Sequence, residues 1–211
     1  MASVRKPPCC KVVLLGDSGV GKTCIISRYI SGAFDQNSPS TNGASYASKI
    51  LTFEQLNKTI SLDIWDTAGQ EKYKSLTKFF YKDAAVAILV YDITQKESFE
   101  NMKGYWFQQL QEFGSKSIIL GVAGNKCDMY EKEEVNENDA RQFAESIGAF
   151  FEITSAKNNT GITDLFMNAA NRFVDPNFKG NSDSTNNADP ANNTLKLEDK
   201  DLKKERRRGC C

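Results

Sequence analysis

The stretch Gly16-Asp17-Ser18-Gly19-Val20-Gly21-Lys22-Thr23 decides how the rest of the chain is read. A short apolar run, residues 12–15, precedes it and reads as a buried strand; an amphipathic segment, residues 24–30, follows and reads as a helix. Strand, glycine-rich turn and helix is the setting in which GxxxxGK[ST] means phosphate binding. Glycines without a Cβ let the backbone curl and aim successive N–H groups at phosphate oxygens. The helix N-terminus adds partial positive charge. Lys22 brings a full charge to the β- and γ-phosphates, and the Thr23 hydroxyl can ligate Mg²⁺. An ordinary glycine-rich strand-to-helix turn is the plainer alternative, and it does not call for the Lys-Thr pair. Asp17, Ser18, Gly19, Val20, Gly21, Lys22, Thr23 and Cys24 are therefore candidate nucleotide contacts.

Working outward, strand and helix patterns alternate. Residues 46–53 and 59–65 are β-rich runs joined through Asn57-Lys58, which predicts an antiparallel hairpin. Residues 84–91 and 118–123 are almost wholly apolar, as in strands covered on both faces. Residues 98–113 carry Phe99, Met102, Trp106 and Leu110 at helical spacing. Residues 138–147 and 162–174 read as two more helices, and residues 150–153 as a last strand. This order predicts an α/β fold: a doubly wound, mostly parallel sheet with helices on both faces and right-handed crossovers. Ligands in such sheets lie beyond the carboxyl ends of the strands.

The 211 residues fit one domain with an appendage. Pro7-Pro8 marks residues 1–10 as a disordered lead. From Asp175 the composition turns polar, so residues 175–211 are expected to be a disordered tail that ends in a basic run and Gly209-Cys210-Cys211. Net charge is zero, which argues against a global field for nucleic acid. The absence of histidine excludes Ser-His-Asp and Cys-His nucleophile systems. The six cysteines, Cys9, Cys10, Cys24, Cys127, Cys210 and Cys211, form no CxxC pair and suit a reducing cytosol. No signal-peptide pattern precedes the first strand, Ala2 stands where N-myristoylation needs glycine, and no apolar run approaches the roughly 20 residues that span a bilayer.

Two further loops after strands carry chemistry. In Asp66-Thr67-Ala68-Gly69-Gln70, Asp66 stands at a strand end where it can hold Mg²⁺, usually through water. Gly69 permits a backbone N–H to approach a γ-phosphate, and Gln70 can orient a water for in-line attack. In Asn125-Lys126-Cys127-Asp128, the Asp128 carboxylate can accept the side-by-side N1–H and N2 donors of guanine, a pair adenine lacks. Asn125 can tie loops together and the Lys126 stem can lie over the base. Ser155-Ala156-Lys157, after the last strand, offers backbone N–H to the guanine O6. Either loop alone could be a surface turn; in this order after a P-loop they form a nucleotide site.

GDSGVGKT, WDTAGQE, NKCD and TSAK, in this order, resemble the Ras superfamily of small GTPases, which have the P-loop NTPase fold with a six-stranded sheet. Leu89-Val90-Tyr91-Asp92-Ile93-Thr94 and the Cys210-Cys211 ending point within it to the Rab family. Thr41-Asn42-Gly43-Ala44-Ser45-Tyr46 is most similar to the switch segment of the early-endosomal Rab branch. The resemblance covers residues 11–174, the implied GTPase domain, and the extreme C-terminus. It implies that Thr41 ligates Mg²⁺ together with Thr23 and Asp66 and senses the γ-phosphate, and that Phe34 stacks its edge on guanine. Tyr46, Trp65 and Phe80 align with the family's aromatic triad, which with Asn42 and Gly43 faces effectors; simple packing is the alternative for the three rings. Asn42 replaces the usual Ile or Val, Lys72 stands where Arg is common, and Ser18 is small, as in many relatives.

The implied reaction is slow GTP hydrolysis, with Lys22, Gly69 and Gln70 as catalytic groups. No arginine is stationed in cis, and an arginine finger is worth roughly 10³–10⁵ in rate. The family further implies an exchange factor, a GAP, GDI, effectors and an escort protein that directs geranylgeranyl groups to Cys210 and Cys211. Leu195-Lys196-Leu197 resembles the motif that the escort grips, or is a chance pair of leucines. Two lipid chains with a basic run hold a protein stably on the cytoplasmic face of an intracellular membrane, from which it cycles with cytosol. Two competitors stand beside this reading: a P-loop ATPase or nucleotide kinase, which has no use for NKCD, and a GTP-binding scaffold with little hydrolysis.

Overall fold

In the computed structural model, residues 6–39, 41, 44–67, 80–178 and 180 are described. Strand β1 (Cys9–Leu15) sends alternate side chains to opposite faces, with Val12 and Leu14 in one buried cluster and Val13 and Leu15 in the other. Helix α1 (Lys22–Ser31) follows the glycine loop. Strands β2 (Ala44–Phe53) and β3 (Lys58–Thr67) form the expected antiparallel hairpin, from Ala44 opposite Thr67 to Phe53 opposite Lys58. Its connection is a single 3₁₀ turn, Glu54–Leu56, closed by Asn57 in the left-handed region at φ 46°, a conformation asparagine tolerates. Strand β4 (Val86–Asp92) is buried along its whole length.

Next comes a helical rod over residues 96–113. It is α2 (Lys96–Asn101), a π segment (Met102–Trp106) and α3 (Phe107–Phe113). Strand β5 (Ile119–Asn125), helix α4 (Glu137–Ser146), strand β6 (Phe150–Ile153) and helix α5 (Ile162–Val174) complete the domain. Asn136 caps α4 by accepting the Asn138 N–H, and acidic Glu137 and Asp139 fill its first turn, where carboxylates complement the helix dipole.

The sheet has six strands in the order β2-β3-β1-β4-β5-β6, all parallel except the edge strand β2. One face packs on Ile25, Ile26 and Tyr29 of α1 and on Leu165, Phe166, Ala169 and Ala170 of α5. The other packs on Phe99, Met102, Trp106 and Leu110 of the rod and on Ala140 and Ala144 of α4. The doubly wound fold with helices on both faces is therefore present. Strand β1 has β3 on one side and β4 on the other, so the chain order reverses at its carboxyl end. That end is the switch point where α/β sheets bind ligands, and the glycine loop begins there.

The lead expected over residues 1–10 ends earlier. Cys9 and Cys10 already belong to β1 and pair with Ser61 and Leu62, Cys10 is fully buried, and the Pro8 carbonyl accepts the Ser61 N–H at 2.8 Å. Pro8 enters this pairing only as an acceptor, so its missing N–H does not hinder it. The compact unit holding the sheet runs to Gly180. Among the described residues no helix is long and apolar enough to cross a membrane.

Candidate functional site

The glycine loop is shaped by what it must pass. A Cβ on Gly16 would lie 2.2 Å from the Val90 carbonyl oxygen of β4, so the loop leaves β1 against neighbouring backbone. Gly19 and Gly21 have φ of 83° and 97°, in the left-handed region. Between them Val20 is fully buried and plugs the loop into the core. Gly21 is the N-cap of α1 and supplies no side-chain cap, leaving the first-turn donors for an anion. Lys22 is 5 % exposed and arches back over the loop, its Nζ donating to the Gly16 carbonyl at 2.8 Å and the Asp17 carbonyl at 2.7 Å. Burial pushes its ammonium down to about 8, against the pull of Asp66 and Asp17.

At the mouth of the loop three oxygens meet. Thr23 Oγ1 lies 2.6 Å from Thr41 Oγ1 and donates to Asp66 Oδ2 at 2.6 Å, and Thr41 Oγ1 donates to the same oxygen at 3.1 Å. Asp66, the last residue but one of β3, is only 1 % exposed, and burial pushes its carboxyl up against the Thr23 hydrogen bond, the Lys22 charge and the Thr41 hydrogen bond. Its second oxygen, Oδ1, is buried with no partner. Oxygen donors with an unsatisfied carboxylate oxygen fit a hard divalent cation such as Mg²⁺.

The cleft continues away from these oxygens with a volume of about 350 Å³. Ser18, Gly19, Gly21 and Cys24 line its first end, Phe34 and Thr41 its side, and Asn125, Lys126, Asp128, Ala156 and Lys157 its far end. Asn125 joins the two ends: buried, it donates from Nδ2 to the Val20 carbonyl at 2.8 Å and accepts the Thr154 hydroxyl at 3.3 Å. Lys126 sits in the left-handed region at φ 69°, its Nζ 2.6 Å from Oδ2 of fully buried Asp92, an ion pair without hydrogen-bond alignment. Asp128 Oδ1 accepts the Ser155 hydroxyl at 2.6 Å, and its Oδ2 lies 3.8 Å from Lys157 Nζ. The carboxylate is thereby aimed before any base arrives.

One expected contact is corrected by geometry. The Ser155 N–H donates to the Thr160 carbonyl at 3.0 Å in a tight antiparallel bridge, so it does not face the cleft, and the loop's offer falls to Ala156 and Lys157. The side chains of Asp17 and Val20 turn to the helical rod and to the core, so a nucleotide contact from either residue is a main-chain one. Tyr46, Trp65 and Phe80 do meet, with ring centroids 5.4 Å and 5.9 Å apart in turn, and Tyr46 is exposed. Asn42, Gly43, Gly69, Gln70, Cys210 and Cys211 lie outside the described residues.

Sequence reasoning missed two supports. Arg28 of α1 donates to the Ala156 carbonyl at 2.7 Å and the Lys157 carbonyl at 3.0 Å, with its guanidinium 5.9 Å from the Phe34 ring. It fastens the far loop to α1. Asp92 accepts both the N–H and hydroxyl of Thr94, at 2.9 and 2.8 Å, while holding Lys126. Its place at the end of an otherwise apolar strand was the only signal. Gln36, Ser38, Pro39 and Met129 also line the cleft.

A cleft between a glycine loop and an aspartate-bearing loop defines a guanine-nucleotide site, and comparison with known proteins gives it a family. The Ras family model matches residues 11–175. The chain is 41 % identical to human Ras-related protein Rab-31 over 204 residues, 95 % of this chain and 96 % of that one. It is 44 % identical to mouse Ras-related protein Rab-22A over 164 residues, 77 % and 82 % of the two chains. It is 40 % identical to Ras-related protein Rab5 of Nicotiana tabacum over 203 residues, 95 % and 94 %. The chain belongs to the Ras family, as a Rab-type small GTPase that binds GTP and GDP and hydrolyses GTP to GDP.

Proposed function

We propose that this GTPase is a membrane-anchored switch of endocytic, early-endosomal traffic whose two switch loops are tied to the phosphate end of the cleft. The observation that carries the switch reading is the convergence of Thr23, Thr41 and Asp66. Thr41, outside the glycine loop, contacts the phosphate end through these oxygens, so loss of the γ-phosphate removes its reason to stay. Thr23 and Thr41 would hold Mg²⁺ with Asp66 behind them, and the ion would neutralise phosphate charge. Lys22 offsets charge on the transferred phosphoryl group, Gly69 offers an N–H to it, and Gln70 orients the water. Asn125, Lys126 and Asp128 take the base, with Ala156 at O6 and Phe34 at its edge. Asn42, Gly43, Tyr46, Trp65 and Phe80 present the state to effectors.

The proposed domain spans residues 11–174 together with the start of β1, between a short lead and a tail over residues 175–211. Geranylgeranyl groups on Cys210 and Cys211 anchor the tail, and an exchange factor, a GAP, GDI and an escort protein act on the folded domain. The experiment that tests the hydrolytic part is single-turnover GTP hydrolysis with and without a Rab GAP. Gln70→Leu should slow the intrinsic rate by about 10²-fold, the lower end of the range for a positioned catalytic group. An unchanged rate removes Gln70 from its role, and a wild-type protein idle even with the GAP would be the scaffold instead.

Burial of Lys22 also sets a pH dependence. Its folded value of about 8 lies below the ordinary 10.5. Between these values the unfolded chain binds more protons, so stability of the nucleotide-free protein rises with pH. Nucleotide affinity runs the opposite way, because the phosphates need the protonated form. GDP affinity should fall about tenfold from pH 7 to pH 9, read by calorimetry, and Lys22→Met should flatten the profile. A wild-type profile as flat as that of the variant would refute the assignment.

A further inference from the structure

The side chain of Asp17 is held from outside the nucleotide cleft. Its Oδ1 accepts the Trp106 indole N–H at 2.7 Å and its Oδ2 accepts the Asn101 amide at 2.7 Å, so both carboxylate oxygens are taken by the helical rod. Its main-chain carbonyl, meanwhile, accepts Lys22 Nζ at 2.7 Å. We propose that Asn101 and Trp106 are positioning residues for the phosphate loop, acting through Asp17. The proposal rests on the reading of residues 16–23 as that loop.

The backbone of the rod explains how two residues five apart reach one carboxylate. In an α-helix of 3.6 residues per turn, positions i and i+5 point roughly 140° apart. The π segment Met102–Trp106, in which the Phe107 N–H donates to the Met102 carbonyl, winds more slowly and brings position i+5 back over position i. Asn101 immediately precedes this segment and Trp106 ends it. Single-turn π segments inside α-helices cluster at functional sites, and here the segment presents two donors to two acceptors. Gly104, with open space where a Cβ would be, sits in its middle.

The Trp106 donor is also held by packing. Trp106 is fully buried, and its ring meets Tyr105 edge-on with centroids 5.1 Å apart. Ser18 and Gly19, next in the loop, are exposed, so Val20 is the plug on one side of them and Asp17 the clamp on the other. A fixed Asp17 fixes the carbonyl that Lys22 uses, and with it the lysine's position at the phosphate end. Both bonds are charge-assisted, the stronger class.

The test uses the full chain loaded with a fluorescent GDP in Mg²⁺, with release chased by excess GTP. Asn101→Ala and Trp106→Phe, the second keeping an aromatic ring while removing the N–H, should each speed release by about tenfold, the loss of one hydrogen bond to a charged group. The ³¹P resonance of the bound β-phosphate should shift in both. The ratio of GDP to IDP affinity should stay at its wild-type value, because the 2-amino group is read at the far end of the cleft. In an Asp17→Ala background the same two substitutions should add less than a twofold change. Release within twofold of wild type, an unmoved β-phosphate signal, or acceleration undiminished without Asp17 would each overturn the proposal, the last leaving only packing. If wild-type protein failed to bind GDP, the phosphate-loop reading itself would fall, and the two failures are distinct.

Discussion

Asp128→Asn should lower GTP affinity by about 10²–10⁴-fold, the loss of two hydrogen bonds to a charged acceptor at about 1.5–3 kcal/mol each, offset in part by what the amide retains. The carboxylate is aimed by the Ser155 hydroxyl on Oδ1 and flanked by Lys157 on Oδ2. An amide keeps one acceptor and turns one donor toward the donors of guanine. The same change creates a match for xanthine, which carries an acceptor where guanine has its amino group. Equilibrium titration with GTP, XTP and ATP checks this, and the expected result is a gain for XTP beside the loss for GTP. Because the gain requires a folded pocket, it separates lost recognition from lost structure. GTP affinity within threefold of wild type would show that Asp128 does not read the base, and a wild-type preference for ATP would return the chain to the ATPase alternative.

How much of this site could be read from the sequence depends on how locally each part is encoded. The glycine loop, the Asp66 loop and the Asn125–Asp128 loop each carry their chemistry within a few residues and follow a recognisable strand. Helical spacing through Phe99, Met102, Trp106 and Leu110 was equally plain, yet it concealed the π segment, since one slowly wound turn leaves apolar residues on the core face. The clamp on Asp17 was invisible for the same reason and because its partners lie 84 and 89 positions away. Arg28 reaches the far loop across 128 positions, and only the packing of α1 beside α5 brings them together. Pro7-Pro8 misled in the other direction. Proline forbids donation but not acceptance, and the Pro8 carbonyl begins the pairing with β3.

The largest structural effect should come from one methyl group, Gly21→Ala. Gly21 sits at φ 97°, where a side chain costs about 1–2 kcal/mol. Its new Cβ would fall 2.4 Å from Asn125 Nδ2. That amide cannot simply swing aside, because it is 2 % exposed and bonded to Val20 on one side and to Thr154 on the other. Expelling it breaks a buried hydrogen bond at a further cost of about 1–3 kcal/mol. The sum, about 2–5 kcal/mol, corresponds to a fall in GDP affinity of about 30-fold to a few thousand-fold, measurable by displacement titration. Asn125 is the tie between the phosphate end and the base end, so the loss should appear for guanosine monophosphate as well as for GDP. In an Asn125→Ala background the clash is gone, and the methyl should then cost only its backbone strain. Were the penalty the same in both backgrounds, the contact with Asn125 would not be its cause. Were Gly21→Ala to bind GDP within threefold of wild type, the two ends of the cleft would not be joined through this residue.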